Sequence, residues 1–214
     1  MGLRTFAVVA LAAALGWLVF RAAVTRRVPW ISLALVLLLL VPLFVTERQW
    51  LSTENRLAGV ARSEARNGLG VHCQRFGETF TYAGSELGHV EYDETGAPRT
   101  AAFLSYDTCQ QLSAYLGSAA DRAAPTLDEV IAVHVLTHET AHLTGIAVES
   151  EAECWAVQRD ARTATMLGAT PDQAAALVAT YWTQVYPRMP DAYRTPDCAP
   201  RARLDETPTD STWP

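Results

Sequence analysis

Two histidines four residues apart, with a glutamate after the first, are the residues of this chain best suited to chemistry: His138-Glu139-Thr140-Ala141-His142. On an α-helix, positions i and i+4 lie on one face with their Cβ atoms about 5–6 Å apart. Two imidazoles so placed can converge on a single Zn²⁺ at Zn–N distances of about 2.0–2.1 Å. Glu139 falls on a neighbouring part of that face, where its carboxylate can meet a water activated by the metal without itself binding the metal. The chemistry these residues point to is hydrolysis, with Glu139 as the general base. His134 stands one turn earlier. A straight helix rises 1.5 Å per residue, so His134 and His142 are about 12 Å apart along the axis and cannot bind the same ion. His134 is therefore read as a buried, hydrogen-bonded residue behind the ligands.

A catalytic zinc takes a third protein ligand and keeps one position open. Beyond His142 the chain reads LTGIAVESEAECWAVQ, which offers Glu149, Glu151 and Glu153. Glu149 and Glu153 share a helix face, whereas Glu151 points about 200° away from Glu149. Zincins with a third histidine or aspartate place it six residues after the second histidine, and here that position is Val148, which cannot bind metal. The arrangement H-E-x-x-H followed by two acids at E-x-x-x-E resembles that of the gluzincins, zinc metallopeptidases whose second motif is E-x-x-x-D. The resemblance implies Glu149 as third ligand and Glu153 as the acid that steadies a ligand histidine. Glu153 stands where the family has aspartate, and the link between the motifs is much shorter than in thermolysin-like enzymes.

The resemblance covers about Thr126 to Gln158. The phrase HLTGIAVESEAECWAVQ is also similar to that of small membrane-anchored HExxH proteins of actinobacteria. Together these imply a Zn²⁺ cofactor, a protein or peptide substrate and a domain facing out of the cytoplasm. Tyr181, Tyr186 and Tyr193 can each supply a donor to a developing oxyanion, and Tyr181 is the one singled out. Two other readings stand beside peptide hydrolysis: a hydrolase acting on a non-peptide amide, and a zincin-like fold kept as a non-catalytic binding or assembly module at the membrane. Glu139 speaks against the second, because a structural metal site needs no base.

The elements that must position these groups are legible around them. Thr126-Leu127-Asp128-Glu129 has the form of a capping box, which predicts a helix running to about Leu143 and stopped by Gly145. A second helix is expected from about Glu149 to Leu167, closed by Gly168. Thr170-Pro171-Asp172-Gln173 caps a third, with proline at its favoured first position. Before them, Glu78–Ala83, His89–Asp93 and Thr100–Ser105 read as the strands of a small antiparallel sheet, separated by glycines and the Thr95-Gly96-Ala97-Pro98 turn. The fold class is α+β.

The chain opens on two apolar stretches, about Thr5 to Phe20 and Val28 to Val45. Crossing a bilayer takes about 20 apolar residues, with about 17 as the lower limit. Arg21, Arg26 and Arg27 lie between them, and positive loops stay cytoplasmic, so a hairpin with both ends outside is expected. Trp30 and Trp50 flank the second stretch. The rival is a cleaved signal peptide followed by a stop-transfer helix, which would leave the domain in the cytoplasm. The expected organisation is a hairpin anchor over 1–46, a stalk helix over 47–70, a zincin-like domain over 71–186 and an irregular tail over 187–214.

Beyond residue 45 the chain carries all 23 acids against 13 of the 17 basic residues, every one of them arginine. A domain so acidic has no electrostatic footprint for nucleic acid. The four cysteines, Cys73, Cys109, Cys154 and Cys198, all fall in this part, and none is in a CxxC arrangement. An even count in a domain facing outward suits two disulfides. Three pairings are possible, and the expected one joins each half locally, Cys73 to Cys109 and Cys154 to Cys198.

Overall fold

The computed structural model describes residues 3–65, 70–75, 86–209 and 213–214. It divides into two compact units, one of residues 1–52 and 74–84 and one of residues 53–73 and 85–214.

The first unit is built on two long apolar helices, α1 (Leu3–Thr25) and the opening part of α2 (Trp30–Glu64). Both are long and apolar enough to cross a membrane. None of the α1 side chains is buried, and Phe6, Trp17, Ile31 and Leu38 are all turned outward. In water such a surface would be costly, and hydrocarbon covers it at no cost. Arg26 and Arg27 lie in the short link between the helices. At the other end Thr5 Oγ1 donates to Glu47 at 3.0 Å, and Arg4 lies over the Trp50 ring, so the two helices run antiparallel with their far ends together.

The second unit takes up the remainder of α2. The segment expected to stand as a stalk does not stand free: Leu57 and Ala61 are fully buried, and Glu54, Ala58 and Val60 nearly so. Glu54 accepts the Cys73 N–H at 2.9 Å. Glu64 pairs with Arg162 at 2.9 Å and Arg159 at 3.4 Å. These two anchors hold the helix along the domain from one end to the other.

A three-stranded sheet follows, made of β1 (Gly70–Cys73), β2 (Gly88–Tyr92) and β3 (Pro98–Leu104), in the order β1-β3-β2. It is mixed, which corrects the antiparallel sheet expected from sequence. β2 pairs antiparallel to β3 across the turn at Gly96, whose φ of 80° suits a residue without Cβ. β1 pairs parallel to β3, with Val71 opposite Ala102 and Cys73 opposite Leu104. The expected strand Glu78–Ala83 lies outside the described residues.

Helices α3 (Tyr106–Gly117) and α4 (Ala119–Ala123) lead to α5 (Leu127–Leu143), the helix of the HExxH motif. Its capping box forms: Thr126 Oγ1 accepts the Glu129 N–H, and Glu129 Oε2 accepts the Thr126 N–H at 2.7 Å. Gly145, at φ 103°, turns the chain out of it. Helix α5 is central, packed against β2, β3, α3, α6, α7 and α8. Val130, Val133 and Leu136 on it are fully buried.

The single helix expected over 149–167 is two, α6 (Glu149–Val157) and α7 (Asp160–Met166). At the break, Gln158 donates to the carbonyls of Cys154 and Leu204, both at 2.9 Å, and accepts the Glu206 N–H at 2.8 Å. The tail thus replaces part of the helix's own bonding. The third helix, α8 (Pro171–Thr180), starts at Thr170 as the sequence indicates and runs on into a wide turn, Tyr181–Val185.

Cys73 is joined to Cys109 and Cys154 to Cys198. The first bridge ties β1 to α3, and the second ties α6 to the tail. Removing the first as Cys73→Ser with Cys109→Ser opens a loop with a sequence separation of 36. Chemical denaturation of the detergent-solubilised chain should then show a loss of about 2–4 kcal/mol, and the parent in reductant, which opens both bridges, should lose more than that.

Candidate metal centre

Helix α5 presents His134, His138 and His142 on successive turns of one face, and the tight turn at Gly145 brings α6 back alongside it, with Glu149 as its first residue. Three ligand atoms converge there. His138 Nε2 lies 3.0 Å from Glu149 Oε2 and 3.1 Å from His142 Nε2, and His142 Nε2 lies 3.5 Å from Glu149 Oε2. Atoms held tetrahedrally about one ion at 2.0–2.1 Å are about 3.3–3.4 Å apart, which is close to this triangle. The His/His/Glu cluster is thus able to chelate a metal ion.

The supporting contacts fix which nitrogens face inward. His142 Nδ1 donates to the Ile146 carbonyl at 2.7 Å, a bond made possible by the same turn, and this leaves Nε2 with a free lone pair toward the cluster. Tyr92 Oη, on β2, lies 3.3 Å from the same Nδ1. His138 Nδ1 lies 3.2 Å from Glu153 Oε2, without the alignment of a good hydrogen bond. Burial works against charge on His138, but its hydrogen bond to Glu149 and the Glu153 carboxylate close by outweigh it and raise its pKa to about 9. Burial and the neighbouring His138 lower that of His142. Its hydrogen bond to His138 and the charges of both histidines outweigh partial burial in holding Glu149 below the usual carboxylate range.

A second trio, His134, His138 and Glu153, brings ligand atoms as near to one another. It lies deeper, at the back of the cavity, with Glu153 1% and His134 2% exposed. Glu153 also has its other oxygen occupied, since Tyr181 Oη donates to Oε1 at 2.5 Å. The open position a substrate needs therefore belongs to the first trio. Of the remaining acids, Glu151 is turned to the surface, where Arg203 donates to it at 3.0 Å.

Glu139 is buried at the edge of the centre, and its Oε2 has no hydrogen-bond partner among the described residues. Burial raises its pKa to about 7, against the opposing pull of His138 and with help from Glu149 and Glu86. Sequence reasoning missed what makes room for it. A Cβ built on Gly88 would stand 2.8 Å from Glu139 Cγ and 2.9 Å from its Oε1, so any other residue at the start of β2 would displace the Glu139 side chain. A lone glycine between Leu87 and His89 carries no signal of such an approach in the sequence.

Tyr181, singled out as an oxyanion donor, has its hydroxyl committed to Glu153 and its ring stacked on His134 at 3.6 Å, so it supports the site from behind. Tyr193, in the tail pinned by the Cys154–Cys198 bridge, is the tyrosine at the front. Its ring centre is 5.8 Å from that of His138, and it lines the same cavity of about 580 Å³ as Glu139, His142 and Glu149. Burial, with Glu149 and Glu139 close by, pushes its hydroxyl pKa up, which keeps it a donor.

No family model, curated protein or solved structure matches the chain.

The geometry makes a direct prediction about metal content. The purified full chain should hold about one divalent metal ion per chain by elemental analysis. His142→Ala or Glu149→Ala should lower that content severalfold after dialysis, whereas Glu151→Ala should leave it unchanged.

Proposed function

We propose that this chain is a membrane-anchored, zinc-dependent peptidase of gluzincin type that acts outside the cytoplasm. The observation that carries the reading is the triangle of His138 Nε2, His142 Nε2 and Glu149 Oε2 beside a buried, unligated Glu139 carboxylate. Two imidazoles and one carboxylate are a common catalytic zinc set. The same donors also suit non-haem iron, and it is Glu139 that favours hydrolysis, because a poised base has no role in an oxygenase site of that kind.

Zinc held by these three residues would polarise the scissile carbonyl and ease deprotonation of the attacking water. Glu139 accepts that proton on Oε2 and delivers it to the leaving nitrogen as the C–N bond breaks. Burial, which favours its protonated form, suits it to hold the proton between the two halves of the transfer. Tyr193 donates from its hydroxyl to the carbonyl oxygen as negative charge develops there. A peptide substrate is supported by β2, which ends the described sheet and brings Gly88, Val90 and Tyr92 to the cavity, offering an extended chain a surface along the site.

The test uses the full chain in detergent with a mixed peptide library. Glu139→Gln should keep its zinc and lose hydrolysis, and Tyr193→Phe should keep its zinc and lower kcat roughly 100-fold. Equal hydrolysis by parent and Glu139→Gln would refute the mechanism, and zinc binding without hydrolysis of any peptide would favour the non-catalytic module.

The outward orientation rests on Arg21, Arg26 and Arg27, each of which would cost about 2.5–3.5 kcal/mol at mid-membrane and so sits at an interface, the cytoplasmic one by its charge. The two disulfides support the same side. Protease added to intact, wall-stripped cells should digest the domain beyond Ser52. Digestion only after lysis would place it in the cytoplasm.

A further inference from the structure

A second cavity, of about 440 Å³, lies within the same unit and shares no lining residue with the first. It is bounded by the packed part of α2, the C-terminal end of α3 and the turn that follows α7. Its charged lining residues are Arg56 and Arg122, and no carboxylate lines it among the described residues. Elsewhere in this acidic unit arginines pair with acids, as Arg162 does with Glu64 and Arg203 with Asp197. Arg56 and Arg122 form no such ion pair among the described residues.

The two guanidinium groups are held differently. Arg56 projects from α2 as an exposed side chain. Arg122 is fixed by the last turn of α3, where its Nη1 donates to the carbonyls of Tyr115 and Leu116, both at 3.3 Å. Its Nε is buried and has no hydrogen-bond partner among the described residues. With Nη1 spent on α3, the Nε–Nη2 edge remains, and that edge of a guanidinium meets two oxygens of one anion at once. Gly168 leaves room beside it: a Cβ built there would lie 3.4 Å from Nε, and the φ of 101° itself suits glycine. Gly59, on α2, also opens the cavity, since a Cβ built on it meets nothing within 4 Å. The remaining wall is apolar, with Leu116, Met166 and Leu167.

We propose that this cavity binds a phosphate monoester carried on a small apolar group. Charge selects the anion. A phosphate monoester bears about −1.5 to −2 charges at pH 7, which two guanidinium groups can balance, whereas a carboxylate would leave one of them unanswered. The apolar wall selects the ester over inorganic phosphate, because an alkyl group laid against Met166 and Leu167 takes that surface out of water. A volume of 440 Å³ lies within the range of small-molecule sites, about 300–1,000 Å³. The same chemistry comes from a soluble phosphate ester or from the headgroup of phosphatidic acid.

Titration calorimetry on the full chain in neutral detergent tests this, with butyl phosphate, inorganic phosphate and butanol as probes. Butyl phosphate should bind saturably, roughly tenfold tighter than inorganic phosphate, and butanol should not bind. Arg56→Gln removes an exposed side chain without internal bonds, so it should fold as the parent does and weaken butyl phosphate about 10-fold. Arg122→Lys keeps the charge but loses the two-pronged edge, and should weaken it similarly. Arg188→Gln, an exposed change outside the cavity, should bind as the parent does. The chain is then placed in phosphatidylcholine nanodiscs with and without phosphatidic acid. Butyl phosphate binding lost only with phosphatidic acid upholds the proposal with a lipid headgroup as occupant, and binding kept in both upholds it with a soluble ester. A parent that takes up no butyl phosphate overturns the proposal, as does a folded Arg56→Gln with parental affinity, whether or not Arg122→Lys folds. Neither result touches the metal centre, whose occupancy is measured separately.

Discussion

Three lone-pair-bearing atoms held within 3.5 Å of one another repel unless a cation or a proton lies between them, and most of the second unit serves to keep His138, His142 and Glu149 in that arrangement. Burying such groups without a partner is costly, so the arrangement persists only where the scaffold overdetermines it. The helix fixes two of the three by spacing alone. The third depends on the turn at Gly145, which reverses the chain within a few residues and lends the Ile146 carbonyl to His142.

From that constraint the rest of the unit can be understood as support. The α5 helix is buried on nearly all sides, by the sheet, by α3 and by the later helices, so its face toward the site has little freedom. The sheet reaches the centre at Gly88, where the lack of a side chain leaves room for Glu139. The Cys154–Cys198 bridge starts one residue after Glu153 and closes the tail that carries Tyr193. The end of α2, tied to Arg159 and Arg162 through Glu64, holds α7 and with it Asp160. A domain of this size gains from two covalent ties, since the site holds buried charges that oppose folding.

What could be read in the sequence was local. Thr126 with Glu129 marks the start of α5, Gly145 its end, and Thr170-Pro171 the start of α8, because caps and stops act within four residues. The face shared by Glu149 and Glu153 followed from helix periodicity, and the apolar length of the first two helices from composition. What stayed hidden depends on distant partners. Gly70–Cys73 has the length and composition of a loop, and it becomes a strand only by parallel pairing with β3 about thirty residues later. Gln158 and Arg159 have ordinary helical character, and the break there comes from hydrogen bonds and an ion pair to the tail. His134 could be excluded as a partner of His142 on one ion by length alone, but its contact with Asp160, 26 residues on, could not be foreseen. A sequence does not say which way a ring turns, and the Tyr181 hydroxyl turns to Glu153 and not to the front of the site.

The central claim is that the metal sits among two imidazoles and one carboxylate at the mouth of the cavity. X-ray absorption at the zinc edge of the purified full chain tests it without reference to any substrate. The account predicts a first shell of nitrogen and oxygen at about 2.0–2.2 Å, with outer-shell scattering that fits two imidazoles and no sulfur. A shell containing sulfur, or scattering from one imidazole or three, would contradict it.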